Sequence, residues 1–465
     1  MTPVLARSRM PASSKAWLVW VVGAGVYVMA AFHRSSLGVA GPLAQARLGL
    51  SAAQLASFVV LQLGVYAAMQ VPTGILVDRF GPRRMLLAAT TVMGLAQLLF
   101  SVVHGYLPAL LARGLLGCGD AMTYISVLRL AASWFPARRY PVITGYSGLM
   151  GSIGNIVATL PLTGVLHGLG WTPTFLIAGG ISLGYGLLLL RPTTSAPYRQ
   201  KDTDTGAGGP VGGSRVWAEV RNSWRLPAGR LGFWVHFTTM AGPTVFGVLW
   251  GYPYLTQGLG YPPATASSLL LLLVIGGVVS NLTITQIVGR KPEVRTPIAL
   301  TVSLLCAAGW TVLITVPHLP MAVVVVVICV FSVGGPASAV AFMLARDYNP
   351  RHRISTATGV VNVGGFCGAV IGLFAVGQIL DLVQPGSETH TATAFRWAFV
   401  ALLAITLFGA FRLFVWWRRT RAQVLLAQAR GEDTPVQLHR RRWELVDTME
   451  LDREALRAAA NRVQE

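Results

Sequence analysis

Twelve stretches of this 465-residue sequence are each long and apolar enough to cross a lipid bilayer. They fall near 16–40, 52–77, 84–104, 107–133, 141–166, 172–191, 230–256, 263–288, 297–316, 319–345, 355–381 and 394–417. A helix needs roughly 20 residues to span about 30 Å of hydrocarbon. No water inside lipid satisfies backbone N–H and C=O groups, so such blocks are expected to be helices. The expected fold class is therefore an all-α polytopic membrane protein. Composition agrees, with 53% hydrophobic and only 12% charged residues, where a soluble domain carries about a quarter charged.

The net charge of +20 would suit a nucleic-acid partner, but its distribution does not. Lysines and arginines sit between apolar blocks, with no basic stripe and no zinc-finger or RNA-binding signature. Arg7, Arg9 and Lys15, then Arg79, Arg83 and Arg84, Arg138 and Arg139, Arg290, Lys291 and Arg295, and Arg351 and Arg353 all fall on one side of the expected topology. Of the 37 Lys and Arg residues, Arg47 and Arg396 are the two left for the other side. This bias predicts a multi-pass protein of the cytoplasmic membrane with both termini inside. The basic N-terminus imitates a signal peptide, but its apolar run continues into His33-Arg34-Ser35-Ser36, which reads as an uncleaved first helix. Cys118, Cys306, Cys329 and Cys367 lie within apolar blocks without metal-ligand spacing and read as small buried hydrophobes, so no metal and no cofactor is expected.

Residues 192–229 are rich in Gly, Ser, Thr and charge and read as a flexible cytoplasmic linker. The expected domains are an N-terminus over 1–15, six-helix halves over 16–191 and 230–417, the linker, and a tail over 418–465. The halves repeat. Pro136-Ala-Arg-Arg139 resembles Pro350-Arg-His-Arg353, and Gly145, Gly151 and Gly154 match Gly359, Gly365 and Gly368, all at an offset of 214. In the tail, Trp443, Val446, Met449, Leu456, Ala459 and Val463 fall at helical spacing, which predicts an amphipathic helix from about Leu438.

Between the second and third blocks runs Gly74-Ile-Leu-Val-Asp78-Arg79-Phe-Gly81-Pro82-Arg83-Arg84. This short charged turn resembles the loop between helices 2 and 3 of the major facilitator superfamily, on Gly74, Leu76, Asp78, Arg79, Gly81 and Arg83. Pro82 departs from the pattern where a basic residue is usual, and Arg84 can supply that charge. The second-half counterpart, Val288-Gly289-Arg290-Lys291, lacks the acidic residue. Arg113-Gly-Leu-Leu-Gly117-Cys-Gly119 resembles the superfamily's fourth-helix pattern. The resemblance implies twelve helices in two parallel-repeat halves, with substrate held between them near the midplane. It also implies a gating role for Gly74, Asp78, Arg79, Gly81, Arg83 and Arg84, which Arg129 and Arg139 would join.

Charge inside a membrane is costly and needs a reason. Arg34, with His33 beside it, fits two roles: a two-pronged grip on a substrate carboxylate or phosphate, or a gate or structural partner of Asp120. Asp120 lies in mid-block, seven residues from Arg113. It reads either as a proton-coupling carboxyl, with Arg113 as its companion, or as one end of a permanent ion pair. Tyr27, Tyr66, Tyr124, Asn155, His236, Tyr252 and Asn362 are further candidates for substrate contact, although each alone is as well explained by a helix–helix hydrogen bond. Gly251 and Pro253 within Trp250-Gly-Tyr-Pro-Tyr254 should weaken their helix, as in a moving gate, unless the cluster is an aromatic belt.

The expected function is secondary transport of a small organic solute, leaning anionic or zwitterionic, by proton symport in a monomer. The rivals are a transporter-like sensor that signals through its tail, and a drug or metabolite exporter. No catalytic constellation suggests an enzyme.

Overall fold

The computed structural model describes residues 14–50, 52–158, 160–190, 213–350, 353–385 and 390–464. Arg7, Arg9, Arg351 and residues 192–212 of the linker lie outside them. The chain divides into two compact units, the first built from residues before Asn222 together with Pro350–Val360, the second from Asn222–Asn349 and Val361 onward. The fold is all-α.

The first unit contains α1 (Ser14–Leu48), α2 (Ala52–Phe80), α3 (Pro82–Val102), α4 (Tyr106–Trp134), α5 (Tyr140–Val157), α6 (Leu160–Leu169) and α7 (Trp171–Leu189). Helix α8 (Gly213–Arg225) carries the boundary between units. The second contains α9 (Pro227–Val245), α10 (Gly251–Pro253), α11 (Pro263–Arg290), α12 (Arg295–Thr315), α13 (Met321–Ser332), α14 (Gly334–Asp347), most of α15 (Ile354–Val383), α16 (Ala392–Ala429) and α17 (Thr448–Gln464).

Among the described residues, ten helical segments are long and apolar enough to cross a membrane. The other two expected blocks are helical but interrupted. Block 141–166 is divided between α5 and α6. In block 230–256, α9 gives way to π turns at Phe246–Trp250 and Tyr254–Gly258 on either side of α10. Pro253 has no N–H to donate, and Gly251 lets the backbone crowd against Phe246. Each insertion shifts the hydrogen-bond register by one residue. The Asp78 loop is tighter than a generic turn. Gly81 adopts φ 81°, which a side chain would strain, and Pro82 occupies the first turn of α3. A proline there loses no helical hydrogen bond, which explains its tolerance where the superfamily pattern has a basic residue.

The tail corrects the expected helix. It begins at Thr448, ten residues later than expected, where Asp447 accepts a hydrogen bond from the Glu450 N–H (2.6 Å). Residues 438–447 instead fold back on the end of α16. The Trp443 ring lies 5.1 Å from Trp417, and Arg418 donates to the Trp443 carbonyl (2.7 Å). Arg421 donates Nε to the buried Glu444 carboxylate at 2.6 Å. Trp443 and Val446 thus anchor a loop, because α16 supplies indole and guanidinium partners that helical spacing does not reveal.

Helix α17 is held in part by Glu454, which bridges Arg430 (2.8 Å) and Arg457 (3.0 Å). The hydrogen bond from Arg430, aided by Arg457, holds the Glu454 carboxyl below its ordinary value. A lowered folded-state value stabilises the docked helix above the ordinary glutamate value, and that stabilisation is lost as pH falls through the lowered one. Amide protection of 448–459, corrected for intrinsic exchange, should hold steady down to pH about 4.5 and then fall. An Arg430→Gln variant should lose the transition.

Candidate functional site

Arg34, on α1, meets a group of polar side chains inside the first unit. Its Nε lies 3.6 Å from Asp120 Oδ2 on α4. Its guanidinium lies 5.5 Å from the centre of the Tyr66 ring on α2, and Tyr27 is also within electrostatic reach. The Tyr27 and Tyr124 rings are 5.0 Å apart. Tyr27 presses on Gly151 of α5, where a β-carbon would collide with it. Helices α1, α2 and α4 thus bring two tyrosines and one carboxylate to one cation, while Tyr124 and α5 pack against Tyr27. The side chain of Arg34 keeps 23% of its surface exposed, and that of Asp120 keeps 1%. Among the described residues, neither Asp120 oxygen has a hydrogen-bond donor. A buried carboxylate at ion-pair distance but without hydrogen bonds is poorly stabilised for a purely structural pair.

His33 is turned away from this group. Consecutive residues on a helix point about 100° apart, and His33 Nε2 meets Ser182 Oγ of α7 at 2.7 Å. Arg113 is buried too, but no ion pair closer than 4 Å joins it to Asp120. It donates to Gln62 Oε1 and to the His33 carbonyl (3.4 Å), and stacks 5.5 Å over Phe100. Its charge still acts on Asp120. Ser182 and the pairing of Gln62 with Arg113 carry no spacing signal that links them to α1 or α4. Asn155 is exposed and accepts from Ser35 Oγ at 2.8 Å.

In the second unit, His236 of α9 and Asn362 of α15 are buried together, with Nε2 and Oδ1 3.1 Å apart. Phe342 packs edge-on to the imidazole at 4.9 Å. Tyr252 is exposed on α10 and does not join them.

The Asp78 loop forms a second charged centre. Asp78 Oδ1 accepts from the Ser355 N–H (3.1 Å), and Oδ2 accepts from the Thr356 N–H (2.8 Å) and Oγ1 (2.9 Å). The carboxylate therefore caps the N-terminus of α15, where free N–H groups and the helix dipole favour an anion. Arg129 approaches it at 4.0 Å. Gly74 allows the contact, since a β-carbon there would strike the backbone of Ser355 and Thr356. Arg83 donates Nε to the Leu189 carbonyl (2.7 Å) at the end of α7. Arg79 lies 5.1 Å over Phe80, and Arg84 and Arg139 are exposed. The expected network of Asp78, Arg129 and Arg139 is thus joined at Arg129, while Ser355 and Thr356 are partners that sequence reading missed.

Helices of membrane length that bury arginines and a carboxylate among them define a polytopic membrane protein. A family profile described as Major Facilitator Superfamily matches residues 23–373, and the chain belongs to that family. Its family and its apolar helices make it a multi-pass membrane protein. A D-galactonate transporter of Escherichia coli is 23% identical over 81% of this chain and 90% of its own. A probable sulfoacetate transporter of Cupriavidus necator is 27% identical over 35% of this chain, and a probable L-galactonate transporter of E. coli is 30% identical over 34%. The matched stretches span 38% and 35% of those two relatives. In fold, the chain resembles a proton:xylose symporter of the superfamily (TM-score 0.63, 14% identity, 87% of this chain and 96% of the other). It also resembles a bacterial homologue of the iron transporter ferroportin (0.67, 15%, 86% and 99%).

Proposed function

We propose that the protein is a proton-coupled symporter for a small organic anion, or a zwitterion with a carboxylate, working by alternating access. It acts as a monomer in the cytoplasmic membrane with both termini inside. The observation that carries this is the Arg34–Asp120 contact at 3.6 Å, with Asp120 sealed from solvent and Arg34 partly open. Arg34 cannot serve two anions equally. A proton on Asp120 releases the guanidinium for a substrate carboxylate, and loss of that proton returns it to Asp120. Proton and anion then bind together and leave together. The carboxylate or sulfonate cargo named for the relatives supports this reading.

Tyr27, Tyr66 and Tyr124 would wall the substrate, with Asn155, His236, Asn362 and Tyr252 as further contacts. His33 and Arg113 would fix the position of α1 and α4. Gly74, Asp78, Arg79, Gly81, Arg83, Arg84, Arg129 and Arg139 would form the gate at the linker side.

Thermal stabilisation of purified protein by a panel of organic acids identifies the substrate. Arg34→Lys then tests the grip, because lysine keeps charge but loses the two-pronged geometry. Affinity for the identified acid should fall at least ten-fold in Arg34→Lys. Unchanged affinity would remove Arg34 from the substrate.

A further inference from the structure

We propose that the second unit carries a binding site for the phosphate of an anionic phospholipid, between the start of α9 and the far half of α16. Arg230, in the first turn of α9, lies 4.6 Å over the ring of Trp416. Arg419 lies 4.7 Å from the same ring. Arg412 lies 5.2 Å over Trp234. Residues 412, 416 and 419 share one face of α16, since they are separated by four and three positions. Three guanidiniums are thus gathered around two indoles.

The cluster has donors and positive charge in excess. No carboxylate among the described residues comes within ion-pair distance of Arg230, Arg412 or Arg419. The nearby acids are committed elsewhere: Asp347 to Arg295 and Arg346, Glu444 to Arg421, and Glu454 to Arg430 and Arg457. Arg412 Nε and the indole N–H groups of Trp234 and Trp416 are buried and meet no acceptor among the described residues. Indole faces offset some of the repulsion between the arginines. They do not supply oxygen acceptors. Arginine meets a phosphate with two parallel charge-assisted hydrogen bonds, so one phosphate with several oxygens can serve more than one of these guanidiniums.

Depth and surroundings favour a lipid over a soluble anion. Arg396 marks the opposite end of α16, where it donates to the Val316 and Pro317 carbonyls. At 1.5 Å per residue, Arg412 and Arg419 stand about 24 Å and about 35 Å further along the helix. Those positions bracket the edge of a hydrocarbon core about 30 Å thick, where phospholipid phosphates lie and arginine side chains snorkel. Beside the cations, Phe408, packed edge-on to Trp234, and Phe411 remain 53% and 62% exposed. A free phosphate would face that apolar surface without hydration, whereas a phospholipid covers it with its own acyl chain. Basic pockets between membrane helices suit acidic headgroups for the same reason.

The test uses the full-length protein purified in mild detergent. Phosphatidylglycerol, phosphatidylcholine and inorganic phosphate are titrated separately, with melting temperature and lipid retained in native mass spectrometry as readouts. Phosphatidylglycerol should stabilise saturably and be retained, while the other two do neither. Arg412→Gln/Arg419→Gln should weaken that response at least ten-fold. Arg441→Gln/Arg442→Gln, which removes the same charge from the exposed tail, should leave it unchanged. Equal phosphatidylglycerol response in wild type and Arg412→Gln/Arg419→Gln overturns the site. An equal response to phosphatidylcholine overturns the headgroup, and an equal response to inorganic phosphate overturns the lipid. Should the double variant fail to fold, Arg419→Gln at its exposed position decides: weakened retention supports the proposal and undiminished retention overturns it.

Discussion

Asp120→Asn is expected to abolish uphill accumulation driven by a pH gradient while sparing substrate exchange across the membrane. The reason is local. Asp120 lies midway along α4, 3.6 Å from Arg34, and among the described residues neither of its oxygens accepts a hydrogen bond. Asparagine imitates its protonated form permanently. Exchange needs the loaded carrier to reorient, and a neutral side chain permits that without moving a bare charge through hydrocarbon. Net accumulation also needs the proton to leave, and asparagine has none to give. Counterflow should therefore proceed near the wild-type rate, while uptake under an imposed gradient drops to background. Wild-type accumulation would place coupling elsewhere. Removing one partner of a buried ion pair costs about 3–5 kcal/mol, so folded yield is measured beside transport. If Asp120→Asn does not fold, Asp120→Glu keeps the carboxyl, and a displaced pH profile of uptake in that variant still reports coupling.

What the sequence makes legible differs between fold and site. Apolar block length depends on hydrocarbon thickness alone, so the membrane-length helices can be read directly. Interruptions depend on local backbone chemistry and are half legible. Gly251 and Pro253 mark the weak point in block 230–256, but not that the chain answers with π turns. In the site, Arg34 and Asp120 announce themselves because charge is rare at their depth, and the structure does bring them together. Asp78 announces itself through its motif, but its partners Ser355 and Thr356 are 277 and 278 positions away and are ordinary residues at the start of a helix. Only the close approach at Gly74 brings them within reach. His33 shows the opposite failure. Its adjacency to Arg34 suggests a shared role, yet a helix sends neighbours to different faces. The tail fails for a similar reason, since spacing alone does not distinguish a helix from a loop pinned by two tryptophans.

Asp78→Asn is expected to impair transport at least ten-fold while leaving the protein folded. Both Asp78 oxygens are used, one on the Ser355 N–H and the other on the Thr356 N–H and hydroxyl. Asparagine retains one acceptor oxygen and turns its amide toward the other donors. It also removes the negative charge from the α15 N-terminus, the charge that Arg129 approaches at 4.0 Å. Hydrogen bonds to a charged group contribute about 1.5–3 kcal/mol each, and the helix dipole adds about 0.3–1 kcal/mol. A loss of about 2 kcal/mol shifts a two-state equilibrium roughly 30-fold away from the conformation that holds the contact. The core of the first unit does not depend on it, so melting temperature should change little. Thr356→Val separates cap from charge: it deletes one hydroxyl bond, keeps the N–H bonds, and should cost transport far less. A transporter that needs this contact in part of its cycle slows when the contact is populated too rarely. Wild-type transport by Asp78→Asn would show that α15 is held against α2 by packing at Gly74 alone, and that the carboxylate has no share in gating.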